Sequence, residues 1–488
     1  MPDRLRILSL SAEVAPFAKT GGLGDVAGAL PKALAALGHD VRVVMPAYQA
    51  QERAARAGEP GLTAIPGGLM VPTGAGPISA GLLTTVLPGS DVPVSLVAER
   101  NLFDRPNIYG YDDDAYRFMF LSRAALAIAS ASGWIPDVVH AHDWHAAPAV
   151  MWLATEGRRD EAFRRVATLF TIHNLVHQGR TSRSVLRYLG AAGPPLLEES
   201  GWDEVNFMAR GIFHATSINT VSPTYAREIM TPDGGYGLDP LLRARRDDVH
   251  GILNGLDTAV WNPATDRHLA RTFDGADAGA RLANKLALQA RVGLPENPDV
   301  PVVAMVTRLD AQKGMEIAGH VIHLLLSGAA GDAQFVILGT GAALYEDAFS
   351  HLASYHRDKM AAVLTFAADL APLIYGGSDL FLMPSLFEPC GLGQLIAMRY
   401  GSVPVVRRTG GLADTVRDGE TGFTFDAFTA DAFWMALQRA LLVYNTDKTG
   451  WARLQRNGMS EDFSWAHAAN AYVALYERAV ARVRSFAG

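Results

Sequence analysis

Short runs of apolar, often β-branched residues alternate with longer helical patterns over most of the chain. In the first half these runs are residues 5–10, 41–45, 92–97, 137–141, 166–171 and 216–221. Helical patterns separate them, for example at 115–130 and 144–155. Short runs that are bounded by turn residues and spaced by helices are typical of parallel strands covered on both faces. The sequence therefore predicts a doubly wound α/β domain.

A second series of apolar runs follows a break in the pattern at residues 261–266. Its members are residues 300–306, 334–338, 363–366, 379–383 and 403–406. A chain of 488 residues is also too long for one core, because single cores stop growing at about 250–300 residues. We therefore expect two doubly wound domains in tandem, residues 1–260 and 261–460.

The first apolar run leads into the segment KTGGLGD at residues 19–25, and a helical pattern follows. Gly21 and Gly22 have no Cβ, so we expect a tight turn with positive φ whose amides can approach a ligand. The helix N-terminus adds the positive end of its dipole, and Lys19 adds a full charge. The segment predicts a phosphate or diphosphate site; the alternative is an ordinary strand-to-helix connection with a solvated lysine.

Two cations stand together after the first apolar run of the second series. Arg308 follows that run after one residue, and Lys313 opens the helical pattern after it. A planar guanidinium and a compact ammonium at the carboxyl end of a strand are suited to hold a diphosphate. The alternative is a pair of solvated loop cations.

The segment MPSLFEPCGLGQ at residues 383–394 lies between a predicted strand and a predicted helix. Glu388 falls in the loop, where a carboxylate can bind sugar hydroxyls or stabilise a cationic transition state. Its alternative role is to compensate the dipole of the helix that follows. Cys390 is a possible nucleophile, but a free cysteine without a neighbouring histidine is more often buried packing.

Two other stretches contain residue types that bind metals. The segment HAHDWH at 140–145 ends one predicted strand, and His173 ends the next. These histidines lack the helical spacing of metal ligands, so hydrogen bonding at the sheet edge is the favoured interpretation. The run Asp112–Asp114 directly precedes a helix, where acidic residues cap the helix and complement its dipole.

The segment TGGLAD at residues 409–414 repeats TGGLGD at 20–25 with one substitution. Shared turn chemistry explains such a match, so it predicts only another loop-to-helix junction. In open α/β sheets, ligands bind beyond the carboxyl ends of the strands. Two such domains facing each other would enclose a deep cleft.

Composition excludes several classes of function. A formal net charge of −7 argues against nucleic acid or an anionic membrane as the main partner. A single cysteine excludes an intramolecular disulfide and any multi-cysteine zinc site. No run reaches the roughly 20 apolar residues of a membrane span, and the first residues, Met1–Arg4, lack the apolar region of a signal peptide. We therefore expect a cytoplasmic protein.

The motifs together resemble bacterial glycogen synthases and plant starch synthases, over nearly the whole length. The matching motifs are KTGGL at 19–23, HAHDW at 140–144, TIHN at 171–174, TVSPTYA at 220–226, GILNGLD at 251–257, Arg308 with Lys313 and Gly314, and FEPCGL at 387–392. The resemblance implies a GT-B fold and transfer of glucose from ADP-glucose to the non-reducing end of an α-1,4-glucan with retention. It implies no cofactor and no metal. It also implies that a final helix, within residues 461–488, crosses back onto the N-terminal domain.

The resemblance also implies roles for individual residues. Those assigned to the donor phosphates are Lys19, Gly21, Gly22, Arg308 and Lys313, and Asp25 is a substrate-binding position in the same loop as Lys19. Glu388 would hold a glucose hydroxyl and stabilise the oxocarbenium-like state, and His173 would lie beside the sugar and offer its backbone carbonyl. The chemistry is coherent, because a glycosyl cation forms while an anion departs.

Further substrate-binding positions follow from the same motifs. They are Asp143, Asn254, Phe366, Cys390, Gly391, Leu392 and Gly393. Gly393 stands where many family members have a hydroxyl residue, which leaves its amide to contact phosphate. Phe366 stands where an aromatic residue, often tyrosine, stacks on the nucleobase.

Three other functions remain open from the sequence. A UDP-glucose-dependent synthase or a small-acceptor glucosyltransferase would share the motifs. A dinucleotide-dependent oxidoreductase would share the fold, but no Gly-x-Gly-x-x-Gly follows the first strand. A non-catalytic glucan-binding protein is the third, since fold does not determine function.

Overall fold

The protein is described from a computed structural model, which covers residues 4–58, 61–191, 193–199, 201, 203–275 and 277–486. Residues 1–3, on which part of the signal-peptide argument depends, lie outside this range. The chain forms two compact units. Unit 1 is Met1–Gly255 with Trp465–Gly488, and unit 2 is Leu256–Ser464. The division falls at residues 255/256 and 464/465, where the sequence pattern predicts 260/261 and 460/461.

Unit 1 contains twelve strands in its described part. They are β1 (Arg6–Leu10), β2 (Asp40–Pro46), β3 (Thr63–Ala64), β4 (Leu69–Thr73), β5 (Gly76–Val86), β6 (Pro93–Ala98), β7 (Val138–His142), β8 (Ala167–Ile172), β9 (Arg180–Ser182), β10 (Glu204–Asn206), β11 (Ser217–Thr220) and β12 (Val249–Gly251). Seven are parallel in the order β6-β2-β1-β7-β8-β11-β12. Strand β5 adds to β6 antiparallel and carries β3 and β4, whereas β9 and β10 form a separate hairpin.

The helices of unit 1 cover this sheet. They are α1 (Gly22–Ala36), α2 (Gln49–Arg56), α3 (Arg100–Phe103), α4 (Asp114–Ala131), α5 (Asp143–Ala154), α6 (Leu186–Leu189), α7 (Phe207–His214), α8 (Pro223–Glu228), α9 (Asp239–Ala244) and a C-terminal helix (Trp465–Phe486). In α1 the residues Leu23, Val26, Leu30 and Leu34 are buried at helical spacing, which turns one apolar stripe toward the core.

The C-terminal helix packs on α1 and β8 within unit 1. Tyr472 and Tyr476 on this helix are fully buried. The hydroxyl of Tyr476 lies 2.8 Å from Nδ1 of His140, and Asn219 Nδ2 donates to the hydroxyl of Tyr472 at 3.1 Å. Buried hydrogen bonds therefore join the end of the chain to strands β7 and β11.

Unit 2 contains six parallel strands among the described residues. They are β13 (Val302–Val306), β14 (Gln334–Leu338), β15 (Met360–Val363), β16 (Leu380–Met383), β17 (Val403–Arg407) and β18 (Phe423–Phe425). Their order in the sheet is β15-β14-β13-β16-β17-β18. This is the Rossmann order 3-2-1-4-5-6. The predicted fold class, α/β with two Rossmann-like domains, is confirmed.

Helices cover both faces of the second sheet. They are α10 (Arg281–Arg291), α11 (Met315–Leu326), α12 (Ala343–Tyr355), α13 (Leu370–Gly377), α14 (Gly393–Arg399), α15 (Gly410–Thr415), α16 (Ala430–Thr446) and α17 (Lys448–Ser460). Alternate residues of β13 belong to different core clusters: Val303 and Met305 pack in one, and Val302 and Ala304 in the other. This explains why the strands read as unbroken apolar runs.

The structure corrects the pattern in a few places. The run 363–366, predicted as a strand, lies mostly after β15, which ends at Val363. Strands β12 and β18, at the edges of the sheets, are only three residues long and were not predicted. The junction predicted at residues 409–414 is present, since α15 begins at Gly410. In the described ranges, no helix combines the length and apolarity that crossing a bilayer requires.

Candidate functional site

In unit 2 the candidate residues gather where the strand order reverses, between β13 and β16. Arg308 and Lys313 follow β13, and Glu388 follows β16. The carboxyl ends of adjacent parallel strands at such a point form the usual ligand crevice of an open α/β sheet. The topology therefore brings together two loops that are 75 residues apart in sequence.

Lys313 and Glu388 form an ion pair at this point. Nζ of Lys313 lies 2.6 Å from Oε2 of Glu388, and their side chains are 17% and 7% exposed. The hydroxyl of Ser385 donates to the same oxygen at 3.0 Å. A buried carboxylate held by a cation and a hydroxyl keeps a defined position, because leaving a buried charge unpaired costs about 3–5 kcal/mol.

Glycine permits the two loops to approach each other. Gly314 has φ +77°, and a Cβ there would lie 2.1 Å from the carbonyl oxygen of Pro384. The backbone amide of Leu386 also donates to the carbonyl of Gln312 at 2.8 Å. Arg308 stands apart: its side chain is 59% exposed and pairs with Asp310 of its own loop at 3.2 Å. Of the two predicted cations, only Lys313 contacts Glu388.

The segment after Glu388 is held by glutamine and by a second glycine pair. Gln394 Nε2 donates to the carbonyls of Cys390 and Gly391 at 3.1 and 3.0 Å. Gly410 and Gly411 pack against the segment from the other side, where added Cβ atoms would lie 1.9 Å from the carbonyl oxygen of Glu388 and 2.1 Å from that of Cys390. The structure therefore explains the glycine pair of TGGLAD as packing space for this loop.

The remaining predicted residues of unit 2 differ in their surroundings. Cys390 is buried, at 4% exposure, as the sequence argument favoured. Leu392 is the N-cap of helix α14, which begins at Gly393, and a Cβ on Gly393 would make a tight contact of 3.1 Å with the ring of Phe381. Phe366 follows β15 and is 89% exposed.

In unit 1 the glycine segment is organised by a residue that the sequence analysis missed, Glu13. Its carboxylate accepts hydrogen bonds from the amide and hydroxyl of Thr20, both at 2.6 Å, and from the amide of Gly21 at 3.2 Å. The hydroxyl of Tyr109 donates to it at 2.7 Å. Burial, with Glu13 beside it, raises the pKa of Tyr109 well above its usual value, so this donor keeps its proton.

The predicted positive φ angles of the glycine pair are wrong. Gly21 has φ −155°, and Gly22 is the first residue of α1. The carboxylate of Glu13 takes up the amides of the turn, so the chain enters the helix in an extended conformation. A Cβ at Gly21 or Gly22 would meet no atom within 4 Å, whereas one at Gly28 would lie 2.4 Å from the carbonyl oxygen of Ala15. Open space therefore adjoins the pair.

Lys19 is not a solitary cation. Its Nζ lies 2.7 Å from Oδ1 of Asp25, and the two side chains are 47% and 30% exposed. Exposed pairs of this kind contribute about 0–1 kcal/mol, so another anion can replace the carboxylate at little cost. The two charged residues predicted for this loop are thus in contact with each other.

Asp143 and His173 meet at the ends of β7 and β8. Asp143 is a non-glycine residue with φ +57°, and it accepts a hydrogen bond from the amide of His173 at 2.7 Å. Burial raises the pKa of Asp143 to about 7, against the amides of His173 and Asn174, which lower it. Strained backbone of this kind costs about 1–3 kcal/mol and concentrates at functional sites.

The histidines of this edge form a buried polar cluster. His173 Nε2 lies 3.0 Å from His142 Nδ1, and the rings of His142 and His140 have centroids 4.0 Å apart. Burial lowers the pKa of His142 to about 3 and those of His140 and His173 well below the usual value, so the imidazoles are neutral. The predicted hydrogen-bonding role at the sheet edge fits this geometry. Over the described ranges, no group of three or more His, Cys, Asp or Glu is arranged for a metal ion.

One predicted residue has an unsatisfied polar atom. Asn254 is 6% exposed, and its Oδ1 has no hydrogen-bond partner within the described part of the protein. Buried side-chain oxygens are normally hydrogen-bonded, so this atom is suited to receive a donor from a bound molecule. The available signal for the missed residue Glu13 was its position: it lies three residues after the carboxyl end of β1, next to the point where the first sheet reverses its order.

The chain has two Rossmann-like units, and one of them has a buried lysine–glutamate pair at the point of strand reversal. This is the architecture of GT-B glycosyltransferases. Family comparisons agree with this class. Residues 6–244 match the family model of the starch synthase catalytic domain, and residues 300–442 match that of glycosyl transferases group 1.

Individual relatives extend the match to the full length. The chain is 45% identical to glycogen synthase 2 of Geobacter sulfurreducens over 97% of this chain and 99% of that protein. It is also 45% identical to a glycogen synthase of Anaeromyxobacter sp., with the same coverage. The catalytic domain of starch synthase IV from Arabidopsis thaliana, solved with ADP and acarbose, superposes with a TM-score of 0.90 at 36% identity, over 98% of this chain and all of that one. The chain belongs to the glycogen synthase family.

Proposed function

We propose that this protein transfers glucose from ADP-glucose to the non-reducing end of an α-1,4-glucan with retention of configuration. The relatives that support the reaction are named glycogen synthases, and the similar starch synthase was solved with ADP and acarbose. The observation that carries the proposal is the buried pair of Lys313 and Glu388 at the strand reversal of unit 2.

This pair suits a reaction in which positive charge develops on a sugar while a diphosphate leaves. Lys313 neutralises the departing diphosphate, and the exposed guanidinium of Arg308 adds a second contact. Glu388 holds a glucose hydroxyl and stabilises the oxocarbenium-like state. Each preorganised charge of this kind lowers the activation barrier by about 3–4 kcal/mol, because it needs no rearrangement during the reaction.

Other residues of unit 2 bind the rest of the donor. The backbone of Cys390–Gly393, fixed by Gln394, contacts the phosphates through its amides. Phe366 stacks on the nucleobase, for which its exposed ring is available. An aromatic ring offers a flat apolar face on which a nucleobase can stack.

Residues of unit 1 complete the proposed chemistry. Lys19 exchanges its partly exposed carboxylate partner, Asp25, for a donor phosphate, and the open backbone at Gly21 and Gly22 admits the phosphate. Asp143 holds the amide of His173 and so positions the carbonyl of that residue toward the sugar. Asn254 offers its unpaired Oδ1 to a substrate hydroxyl.

The test is incorporation of radiolabelled glucose into glycogen, with ADP-glucose and UDP-glucose run side by side in EDTA. We expect transfer from ADP-glucose to exceed transfer from UDP-glucose, and β-amylase to release the label as maltose. Preference for UDP-glucose would refute the donor assignment. Absence of transfer from either donor by the folded protein would refute the enzyme and favour a glucan-binding protein.

A further inference from the structure

A hollow of about 240 Å³ lies on unit 1, between the start of α4 and the segment that contains β9 and α6. Its polar and aromatic lining consists of two tyrosines, two aspartates and three hydroxyl residues: Asp112, Asp113, Tyr116, Thr181, Ser182, Ser184 and Tyr188. All of them belong to residues 1–255, so the hollow is formed within one compact unit. The proposed chemistry uses none of these residues.

The two tyrosines make an aromatic wall. The rings of Tyr116 and Tyr188 have centroids 4.7 Å apart and planes at 74° to each other. Tyr188 is 38% exposed although it is a large aromatic residue. In the described part of the chain, neither phenol hydroxyl forms a hydrogen bond. Each ring therefore offers an apolar surface with a polar tip, which is how tyrosine serves at binding sites.

The acidic residues beside this wall differ in their pairing. Asp113 pairs with Arg105 at 2.6 Å, and Asp114 pairs with Arg117. The sequence suggested that acidic side chains cap α4, but the side chain of Asp113, the N-cap residue, forms no capping hydrogen bond. Asp112, in contrast, forms no hydrogen bond or ion pair with any described residue. Its carboxylate oxygens remain available as acceptors. An unpaired carboxylate favours a neutral ligand rich in hydroxyl donors and disfavours an anion.

The serines continue the same chemistry across the hollow. Ser182 and Ser184 have their hydroxyl oxygens 3.0 Å apart, and both residues are exposed. A pyranose presents apolar C–H faces and an edge of hydroxyls. An aromatic wall with a carboxylate and hydroxyls around it matches both, since small-molecule sites combine apolar surface with a few placed polar groups.

We infer that this hollow binds a glucan chain at a distance from its reacting end. The inference rests on the proposed function, which supplies the glucan. Both segments of the lining lead away from candidate site residues: Asp112 comes three residues after Tyr109, which contacts Glu13, and Thr181 comes eight after His173. The hollow is an accessory subsite that raises affinity for long acceptors.

The first test measures binding of glycogen without any donor, by affinity electrophoresis. Tyr188→Ala is expected to weaken glycogen binding about tenfold, the effect of losing one well-placed aromatic contact. Asp112→Asn, at an exposed position that cannot disturb the core, is expected to weaken it about threefold. The matched control is Tyr355→Ala, which removes a tyrosine that is 80% exposed on unit 2. Unchanged glycogen binding in the first two variants would refute the subsite.

The second test separates this subsite from the reaction centre. For Tyr188→Ala, the KM for glycogen divided by the KM for maltotriose is expected to rise about tenfold, because the proposed subsite holds glucose units beyond those that a three-unit acceptor provides. An equal rise of both KM values would place Tyr188 at the reaction centre and overturn the inference. If the protein proves to lack transfer activity, the electrophoresis still decides whether the hollow binds glucan.

Discussion

The points of strand reversal in the two units look alike in sequence and differ in construction. Each has a Thr-Gly-Gly-Leu segment and a buried carboxylate nearby. In unit 2 the glycines Gly410 and Gly411 touch the backbone of the loop that carries Glu388. In unit 1 the space beside Gly21 and Gly22 is open. The same motif therefore supports a loop in one unit and leaves room in the other.

Buried carboxylates of the two units, Glu388 in unit 2 and Asp143 in unit 1, also differ in their surroundings. Glu388 is paired with a lysine, so its charge is balanced within the protein. Among the residues that the structure describes, Asp143 is held by the backbone amides of His173 and Asn174 and not by a cation, and burial raises its pKa to about 7. A balanced carboxylate is suited to act in chemistry at neutral pH, whereas an unbalanced one positions backbone at a cost in stability. Four changes test this contrast.

The largest effect is expected from Glu388→Ala. Loss of a preorganised charge at the reacting centre should lower kcat about a thousandfold, with little change in the KM for ADP-glucose. Glu388→Gln keeps the shape and the hydrogen bond with Ser385, and it serves as the matched control for charge alone. Near-normal turnover in a folded Glu388→Ala protein would remove this residue from catalysis.

Next comes Gly410→Ala, which probes the supporting glycine pair. The added Cβ would lie 1.9 Å from the carbonyl oxygen of Glu388, at φ +45°. We expect a loss of about 2–4 kcal/mol in the free energy of unfolding, with a clear loss of kcat. Differential scanning fluorimetry and assays measure the two effects.

The control for this change is Gly419→Ala. Gly419 also has positive φ, at +74°, but a Cβ there would meet no atom within 4 Å. It should cost only about 1 kcal/mol, for the left-handed conformation alone. Equal losses in the two variants would show that strain, and not contact with the Glu388 loop, explains Gly410.

A smaller effect is expected for Asp143→Asn, and it depends on pH. The pKa of Asp143 is about 7 in the folded protein and about 4 when unfolded. At a pH between these two pKa values, Asp143 is deprotonated in the unfolded chain and protonated in the folded chain. The free energy of unfolding therefore falls as pH rises from about 4 to about 7. Asparagine tolerates the positive φ and removes this titration.

Thermal unfolding at pH 4.5 and pH 8 measures the difference. The difference in the free energy of unfolding between Asp143→Asn and the parent should be about 1–4 kcal/mol more favourable to the variant at pH 8 than at pH 4.5. Asp25→Asn, at a partly exposed carboxylate, is the control. Parallel pH curves for the parent and Asp143→Asn would contradict the raised pKa.

The smallest effect on the fold is expected for Gly21→Ala. Its φ of −155° suits any residue, and a Cβ would meet open space, so the free energy of unfolding should change by less than about 0.5 kcal/mol. If the open space admits a donor phosphate, the KM for ADP-glucose should rise several-fold. Gly28→Ala, whose Cβ would collide with Ala15, should instead destabilise the protein. An unchanged KM would remove the glycine pair from the donor site.

Much of the fold was predictable because parallel strands buried on both faces are unbroken apolar runs. The predicted positions of β1, β7, β13 and β16 differ from the observed ones by one or two residues. Strands such as β12 and β18 were not predicted, since three-residue edge strands carry almost no pattern of their own. The run at 363–366 was misplaced because apolar Phe366 reads as a strand residue although it is exposed.

The candidate residues were predictable one at a time, because a charge or a glycine after a strand is a local signal. The sequence by itself determined that the chain alternates strands with helices, that Lys313 and Glu388 each follow a strand, and that glycines open several helices. Only the tertiary structure decided that Lys313 contacts Glu388, that Glu13 holds the glycine loop, and that identical glycine pairs have different surroundings. The physical reason is that these contacts depend on which strands lie side by side, and strand order is set by packing of the whole sheet.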